Sequence, residues 1–161
     1  MTNIVVKKGN LAINNSPGVR LEAKSLGSTL CVCVQDQVSV CAGMAVIVLP
    51  RLPSSDDPRD FKGMALDAAG GLAMLFHRFL GKGSKKEDLK VWLVGAARFI
   101  EEPVDIGLGA QIYTAAKTIL AGNGVTIHGE HVGGPHNRSV RMVVGVDGID
   151  VTLPGSMEVN L

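Results

Sequence analysis

Aromatic side chains are scarce in this chain of 161 residues, since only 4% of the residues are Phe, Trp or Tyr. Glycine, by contrast, occurs 20 times, and 46% of the residues are hydrophobic. A hydrophobic fraction of this size excludes a disordered chain. The interior must therefore be packed mainly from Val, Ile, Leu and Ala, with many tight turns at glycine.

A strong charge of either sign is also missing, because the formal net charge is only +1. This near-neutrality argues against a protein that binds nucleic acid by neutralising phosphates. The three cysteines form an odd number, which fits free thiols in a reducing compartment. The basic cluster of Lys82, Lys85 and Lys86 is followed at once by Glu87 and Asp88, so we expect a solvated turn there.

No apolar run is long enough for a membrane-spanning helix. The longest, residues 38–49, falls short of the roughly 20 residues that a bilayer requires and is interrupted by Ser39 and Gly43. The N-terminal residues also lack the apolar core of a signal peptide. We therefore expect a soluble, cytoplasmic protein that forms a single domain over residues 1–161.

The apolar pattern predicts a strand-rich α+β domain. Two of the strands, at residues 29–34 and 38–49, are apolar on both faces, as expected for strands covered on both sides. Turn residues separate these strands from others, which we predict at 4–6, 19–21, 91–94, 125–127, 140–146 and 149–153. The polar, Pro-rich residues 50–60 are expected to form a loop.

Two helices are predicted from apolar spacing. The first runs from about residue 62 to residue 80 and has a stripe of residues expected to face inward, which are Ala65, Ala68, Ala69, Leu72, Leu75, Phe76 and Phe79. The second covers about residues 110–121 and is ended by Gly122-Asn123-Gly124.

The most informative motif is Leu26-Gly27-Ser28-Thr29, which leads into an apolar strand. Further on, Gly43-Met44-Ala45 leads through Val46 to Leu49-Pro50. This pattern resembles the CheD family of bacterial chemoreceptor glutamine deamidases, whose signature reads L-G-S-C before a short apolar strand. The resemblance implies a layered domain in which a strand core is flanked by helices.

The resemblance also implies a catalytic triad, and all three of its positions are changed here. Thr29 stands in place of the nucleophilic Cys, Val46 in place of the His, and Ala23 in place of the family's Thr. A threonine hydroxyl is a much weaker nucleophile than a thiolate unless a base deprotonates it. Three changes without a gap indicate a chain that kept the fold and lost the reaction.

Further motifs extend the resemblance over residues 6–153. Gly95-Ala96 and Phe99 match the end of a G-G-A-x-x-F motif, and Ile106-Gly107 begin an I-G-x-R-N motif whose Arg and Asn are replaced. Residues 130–134 are similar to an E-D-x-G-G turn, with His131 in place of its acid. Turn-forming glycines are thus retained, whereas polar residues that would line a site are lost.

Three residues near these turns are our candidates for partner binding, namely Arg98, Phe99 and Arg138. Arginine and aromatic side chains often carry much of the energy of an interface. For intact members, the resemblance implies hydrolysis of a glutamine amide on chemoreceptor helices and binding to a CheC-type phosphatase. We therefore expect an inactive homologue that binds a receptor helix or such a phosphatase.

An alternative is an active deamidase with relocated machinery, in which Cys31 is the nucleophile and His131 or His136 activates it or a water molecule. Cys31 lies on the same strand face as Thr29, about 6–7 Å along the strand. Catalysis would require a low thiol pKa and a nearby base. Small buried hydrophobic side chains are the more ordinary role of such cysteines.

The histidines also raise the question of a metal site. His131 is at position i+3 relative to His128, whereas the helical zinc motif requires the second His at i+4. No Cys pair with zinc-type spacing accompanies them. We therefore expect neither a metal nor another cofactor.

Overall fold

The computed structural model describes residues 2–51, 65–98 and 107–161. Within these ranges, ten strands form two five-stranded sheets. The strands are β1 (Asn3–Val5), β2 (Leu11–Asn14), β3 (Arg20–Ala23), β4 (Leu30–Asp36), β5 (Cys41–Ile47), β6 (Leu89–Gly95), β7 (Ile127–Val132), β8 (Ser139–Val143), β9 (Asp150–Leu153) and β10 (Met157–Asn160). The α-helices are α1 (Ala68–Gly81) and α2 (Leu108–Gly122), and Lys86–Asp88 form a short 3-10 helix.

The molecule has three layers, which confirms the α+β prediction and the expectation of a strand core flanked by helices. The inner sheet has the order β2-β5-β4-β6-β7 and the outer sheet the order β1-β3-β8-β9-β10. Both helices pack on one face of the inner sheet, in an apolar cluster that includes Leu30 and Val32. The outer sheet packs on the other face, against Cys31 and Cys33. Alternation of side chains along β4 separates the two clusters.

Strands β4 and β5 are buried at every residue, which confirms that they are covered on both sides. The predicted start of β5 at residue 38 is wrong, because residues 37–40 form a turn. The Asp36 carboxylate accepts hydrogen bonds from the backbone N–H groups of Val38 and Ser39, at 2.9 and 3.2 Å. Val38 therefore lies in a turn that the Asp36 side chain stabilises, although it is β-branched, and it is 76% exposed.

Helix α1 begins later than predicted. The carbonyl of Leu66 accepts the N–H groups of Val48 and Leu49, which keeps residues 65–67 out of the helix. Asp67 then caps α1 by accepting the N–H of Gly70 at 2.9 Å. The first helical residues of the prediction, 62–64, and most of the predicted loop lie outside the described residues. Ala69, expected to face inward, is exposed.

The end of α2 explains why β7 starts at residue 127 rather than 125. Gly124 has a φ of +69°, and the N–H of Val125 bonds to the carbonyl of Leu120 at 2.9 Å. This helix-ending motif confirms the stop predicted at Gly122-Asn123-Gly124. The strand then continues to Val132, so both His128 and His131 lie in a strand that runs into Gly133.

Other element boundaries also differ from the prediction. Helix α2 begins at Leu108, β8 ends at Val143 because residues 144–149 form the connection to β9, and β10 was not predicted. None of the described helices is long and apolar enough to cross a membrane.

Candidate functional site

The three positions of the family's triad lie close to the layer between the two sheets. Ala23 and Val46 are each 1% exposed and belong to one apolar cluster with Cys31. Val46 lies directly opposite Cys31 in the β4–β5 pair. Thr29 lies one residue before β4, and the β4–β5 register, continued by one residue, places it diagonal to Val46. The topology therefore brings the positions together, although the side chains are not those of a triad.

Thr29 uses its hydroxyl for the backbone. The hydroxyl donates to the carbonyl of Leu26 at 2.5 Å, and the Thr29 N–H donates to the same oxygen at 3.0 Å. The Thr29 carbonyl accepts the N–H of Ala96 at 2.8 Å. The hydroxyl thus bonds the backbone of the turn that precedes β4. Only 7% of the residue is exposed.

The turn before Thr29 is hydrogen-bonded to the loop that follows β7. Leu26 donates its N–H to the carbonyl of Arg138, and Gly27 donates to Oδ1 of Asn137, both at 2.8 Å. The Gly27 carbonyl accepts the N–H of Ala97 at 2.9 Å. Motif segments that are more than 60 residues apart in the chain thus meet at one end of the inner sheet.

Arg138 occupies the centre of this junction. Its Nη1 donates to the carbonyl of Gly95 at 2.9 Å, its Nη2 donates to the carbonyl of Gly133, and its Nε donates to Nδ1 of His131 at 2.7 Å. The residue is only 4% exposed, and burial lowers the pKa of its guanidinium. The side chain therefore points inward and donates hydrogen bonds to two backbone carbonyls and one side-chain nitrogen. Partner binding by Arg138 stays a prediction, and this burial leaves it little surface to offer.

His131 is held as a neutral imidazole. Burial lowers its pKa, and the positive charge of Arg138 adds to the effect, with a smaller contribution from His136. Because Nδ1 accepts the hydrogen bond from Arg138, the ring proton lies on Nε2. Neither ring nitrogen then has a free lone pair with which to take a proton from a thiol or a water molecule.

Cys31 lies in the interior next to a second thiol. Its Sγ is 3.7 Å from Sγ of Cys33, and both residues are 0% exposed. The hydrogen bond shared with Cys33 and burial raise the pKa of the Cys31 thiol. Burial likewise raises the pKa of Cys41. These thiols have the surroundings of core side chains, and the thiolate that a nucleophile requires is disfavoured.

A cleft of about 220 Å³ opens beside the junction, where segments of three family motifs meet. Its lining includes Arg98, which is half-buried and donates its N–H to the carbonyl of Gly134 at 2.8 Å. Ala110 also lines the cleft, at the position where the family has an Asn. The candidate residue Phe99 lies outside the described residues.

Tyr113 lines the same cleft and was not singled out from the sequence. Its hydroxyl donates to the carboxylate of Glu130 at 2.8 Å and accepts a hydrogen bond from Nζ of Lys117 at 3.0 Å. The spacing of Tyr113 and Lys117 by one helical turn was a signal that could have revealed the pair. Among the described residues, no group of three or more His, Cys, Asp or Glu is placed to hold a metal ion.

Comparison with known proteins gives a consistent family. A family model described as CheD chemotactic sensory transduction matches residues 51–150. This range begins after Val46 and therefore excludes all three triad positions.

Relatives match over most of the chain. A probable chemoreceptor glutamine deamidase CheD of Anaeromyxobacter dehalogenans is 30% identical, over 88% of this chain and 89% of the relative. The chemoreceptor glutamine deamidase CheD of Thermotoga maritima is 31% identical, over 84% of this chain and 82% of the relative. A solved Neisseria meningitidis structure of the family model DUF152 covers 81% of this chain and 62% of its own, with a TM-score of 0.45 and 14% identity, a likeness too low to support a conclusion.

Proposed function

Because the chain belongs to the CheD family of chemotaxis proteins, we propose that it is a cytoplasmic CheD-like protein that binds a chemotaxis partner without deamidating glutamine. The observation that carries the proposal is the surroundings of Thr29. Its hydroxyl donates to the Leu26 carbonyl, and the diagonal neighbour across the sheet is the apolar Val46.

Deamidation of a glutamine side chain by covalent catalysis needs two groups that are missing at these positions. A nucleophile must attack the amide carbon, and an acid must protonate the departing ammonia. The side chains of Val46 and Ala23 cannot accept or donate a proton, and within the described residues the Thr29 hydroxyl bonds only the Leu26 carbonyl. Loss of a catalytic triad residue in a hydrolase typically lowers the rate by about four orders of magnitude or more.

We expect no release of ammonia when the protein is incubated with a glutamine-containing chemoreceptor helix. Mass spectrometry of the receptor peptide should likewise show no conversion of Gln to Glu above a no-protein control. The Thermotoga maritima relative, named a chemoreceptor glutamine deamidase, serves as the positive control on the same substrate. Conversion that rises in proportion to the concentration of this protein would refute the proposal.

The alternative, a relocated nucleophile at Cys31, receives less support. Cys31 is fully buried with a raised pKa, and Nδ1 of His131 is already bonded to Arg138. His136 is exposed on the loop after β7, whereas Cys31 lies between the sheets. We therefore propose that these cysteines serve packing.

Partner binding is supported by the cleft beside Arg98. The half-buried guanidinium stands at a concave surface of about 220 Å³ that glycine backbone and Tyr113 also line. We propose a chemoreceptor helix or a CheC-type phosphatase as the occupant, with Arg98 and Phe99 as contacts. Concave sites with an arginine at their edge are typical of interfaces whose energy is concentrated in few residues.

Calorimetry with purified chemoreceptor fragments and a purified CheC-type phosphatase tests this proposal. Arg98→Ala should weaken binding about thirtyfold, the equivalent of about 2 kcal/mol. Arg141→Ala is the matched control, because Arg141 lies on the outer sheet in surface ion pairs with Asp150 and Glu158. Equal affinity of the two variants, or no binding of either purified partner at micromolar protein, would remove the support for this surface.

A further inference from the structure

A second concave surface lies on the helical layer, on the other side of the inner sheet from Ala23 and Val46. This groove, between α1 and the C-terminal end of α2, has a volume of about 290 Å³. Leu72, Ala73 and Phe76 form much of one wall, and Ile119 forms part of the other. Leu80, also in the lining, is 53% exposed, so the helices leave apolar surface open at this point.

The dimensions of the groove indicate what it can hold. Its lining along α1 extends from Ala69 to Leu80, which is about 16 Å at the rise of an α-helix. Dividing 290 Å³ by this length gives a cross-section of about 18 Å². A single aliphatic chain fits, and the volume equals about ten methylene groups if each takes roughly the 30 Å³ of a water molecule.

One end of the groove carries a positive charge. Lys86 is the only charged residue in the lining, and it makes no ion pair within the described ranges 2–51, 65–98 and 107–161. Its Nζ lies beside Gly124, just beyond the C-terminal end of α2. A cation there is also favoured by the carbonyl groups of the helix end, so the test must separate this role from ligand binding.

From this combination of shape and charge, we propose that the groove between α1 and α2 is a binding site for an amphiphile with an aliphatic chain of about ten carbons and an anionic head, of the medium-chain carboxylate class. The chain lies along α1 between Ala73 and Ile119, and the carboxylate pairs with the ammonium of Lys86. The site is independent of the cleft beside Arg98.

Titration calorimetry with decanoate, below its micelle concentration, tests the proposal on the full-length protein. We expect saturable one-to-one binding. Decanol, which has the same chain and no charge, should bind about five- to tenfold more weakly, as expected for the loss of one ion pair. Lys86→Met should lower the affinity for decanoate by a similar factor and leave decanol unchanged. Lys85→Met is the control, because Lys85 is outside the lining.

The apolar part is tested separately. Ala73→Phe fills the groove from an exposed helical position and should abolish binding of both ligands, whereas Met74→Phe, on the same helix outside the lining, should not. Circular dichroism establishes that each variant is folded. The absence of saturable heat for decanoate at 1 mM overturns the proposal, as does undiminished binding to a folded Ala73→Phe variant. Self-association of the wild type that Ala73→Phe abolishes, measured by sedimentation, would assign the groove to a second copy instead.

Discussion

At the scale of single residues, Arg138 has the largest difference between expected and observed role. It was a candidate for partner binding because it followed a turn motif. In the structure its guanidinium is buried and donates to Gly95, Gly133 and His131. A buried cation of this kind is tolerated only because carbonyl oxygens replace its hydration. The arginine therefore links the C-terminal end of β6 and strand β7 to the loop before β8.

His131 accepts one of the hydrogen bonds from Arg138, and its lowered pKa predicts that the stability of the protein depends on pH. Its pKa is lowered in the folded state, chiefly by burial, so the unfolded chain takes up a proton at a higher pH than the folded protein does. The free energy of unfolding should therefore fall as the pH drops below about 6.5, and this loss should level off below the folded-state pKa. Above that window the contribution of His131 is fully present.

Denaturant unfolding measured between pH 7.5 and 5 checks this prediction. His131→Gln should flatten the decline, while His77→Gln, an exposed change on α1, should leave it as in the wild type. The carboxylates of Glu22 and Asp36 have lowered pKa values, so their stabilisation is lost only at more acid pH, below about 4.5. A wild-type stability that does not change from pH 7.5 to 5 would contradict the prediction.

At the scale of elements, the contact between α1 and β5 depends on one glycine. A Cβ on Gly43 would lie 2.9 Å from Cε2 of Phe79, 3.0 Å from the carbonyl of Ala12 and 3.2 Å from Cδ1 of Leu75. The helix can lie this close to the sheet because position 43 has no side chain. The glycine of the Gly43-Met44 motif thus has a packing reason.

Gly43→Ala should therefore destabilise the protein by about 1–3 kcal/mol, because an added methyl group overfills a packed interface. Gly81→Ala is the matched control, since a Cβ there meets no atom within 4 Å and the position is the last residue of α1. That change should be neutral or stabilise by up to about 1 kcal/mol. Thermal and denaturant unfolding of both variants measures the difference, and equal effects of the two changes would show that the close approach is not limiting.

At the scale of the whole molecule, the three layers keep two surfaces apart. The groove between the helices lies on one side of the inner sheet, and Ala23 and Val46 lie on the other. Continued one residue before Leu30, the register of β4 against β5 sets Thr29 diagonal to Val46, a separation of about 7 Å or less between Cβ atoms.

This register predicts the outcome of restoring two catalytic residues. In the double variant Thr29→Cys/Val46→His, the imidazole should lower the pKa of the new thiol and raise its rate of reaction with iodoacetamide about tenfold over Thr29→Cys alone. Thr29→Cys/Val46→Leu is the apolar control. Peptide mass spectrometry locates the label, and Cys31 should stay unmodified in every folded variant because it is 0% exposed. Equal rates at position 29 in all three variants would show that these two side chains do not meet.

The sequence by itself determined the local features of this protein. Apolar runs on both faces identified β4 and β5 as covered strands, and periodic spacing identified α1 and α2, although not their ends. The motif around Thr29 identified the family, whereas the loss of its triad stays a prediction. Each of these signals comes from residues that are neighbours in the chain, where period and turn chemistry decide the structure.

Only the tertiary structure decided which polar residues face inward. Arg138 reaches Gly95, 43 residues away in the chain, and Gly27 reaches Asn137, 110 residues away. The groove exists because α1 and α2 lie side by side, which left Phe76 half-buried instead of in the core. Such outcomes depend on which distant carbonyl or side chain a group contacts once the layers pack. A local pattern in the sequence does not specify these long-range contacts.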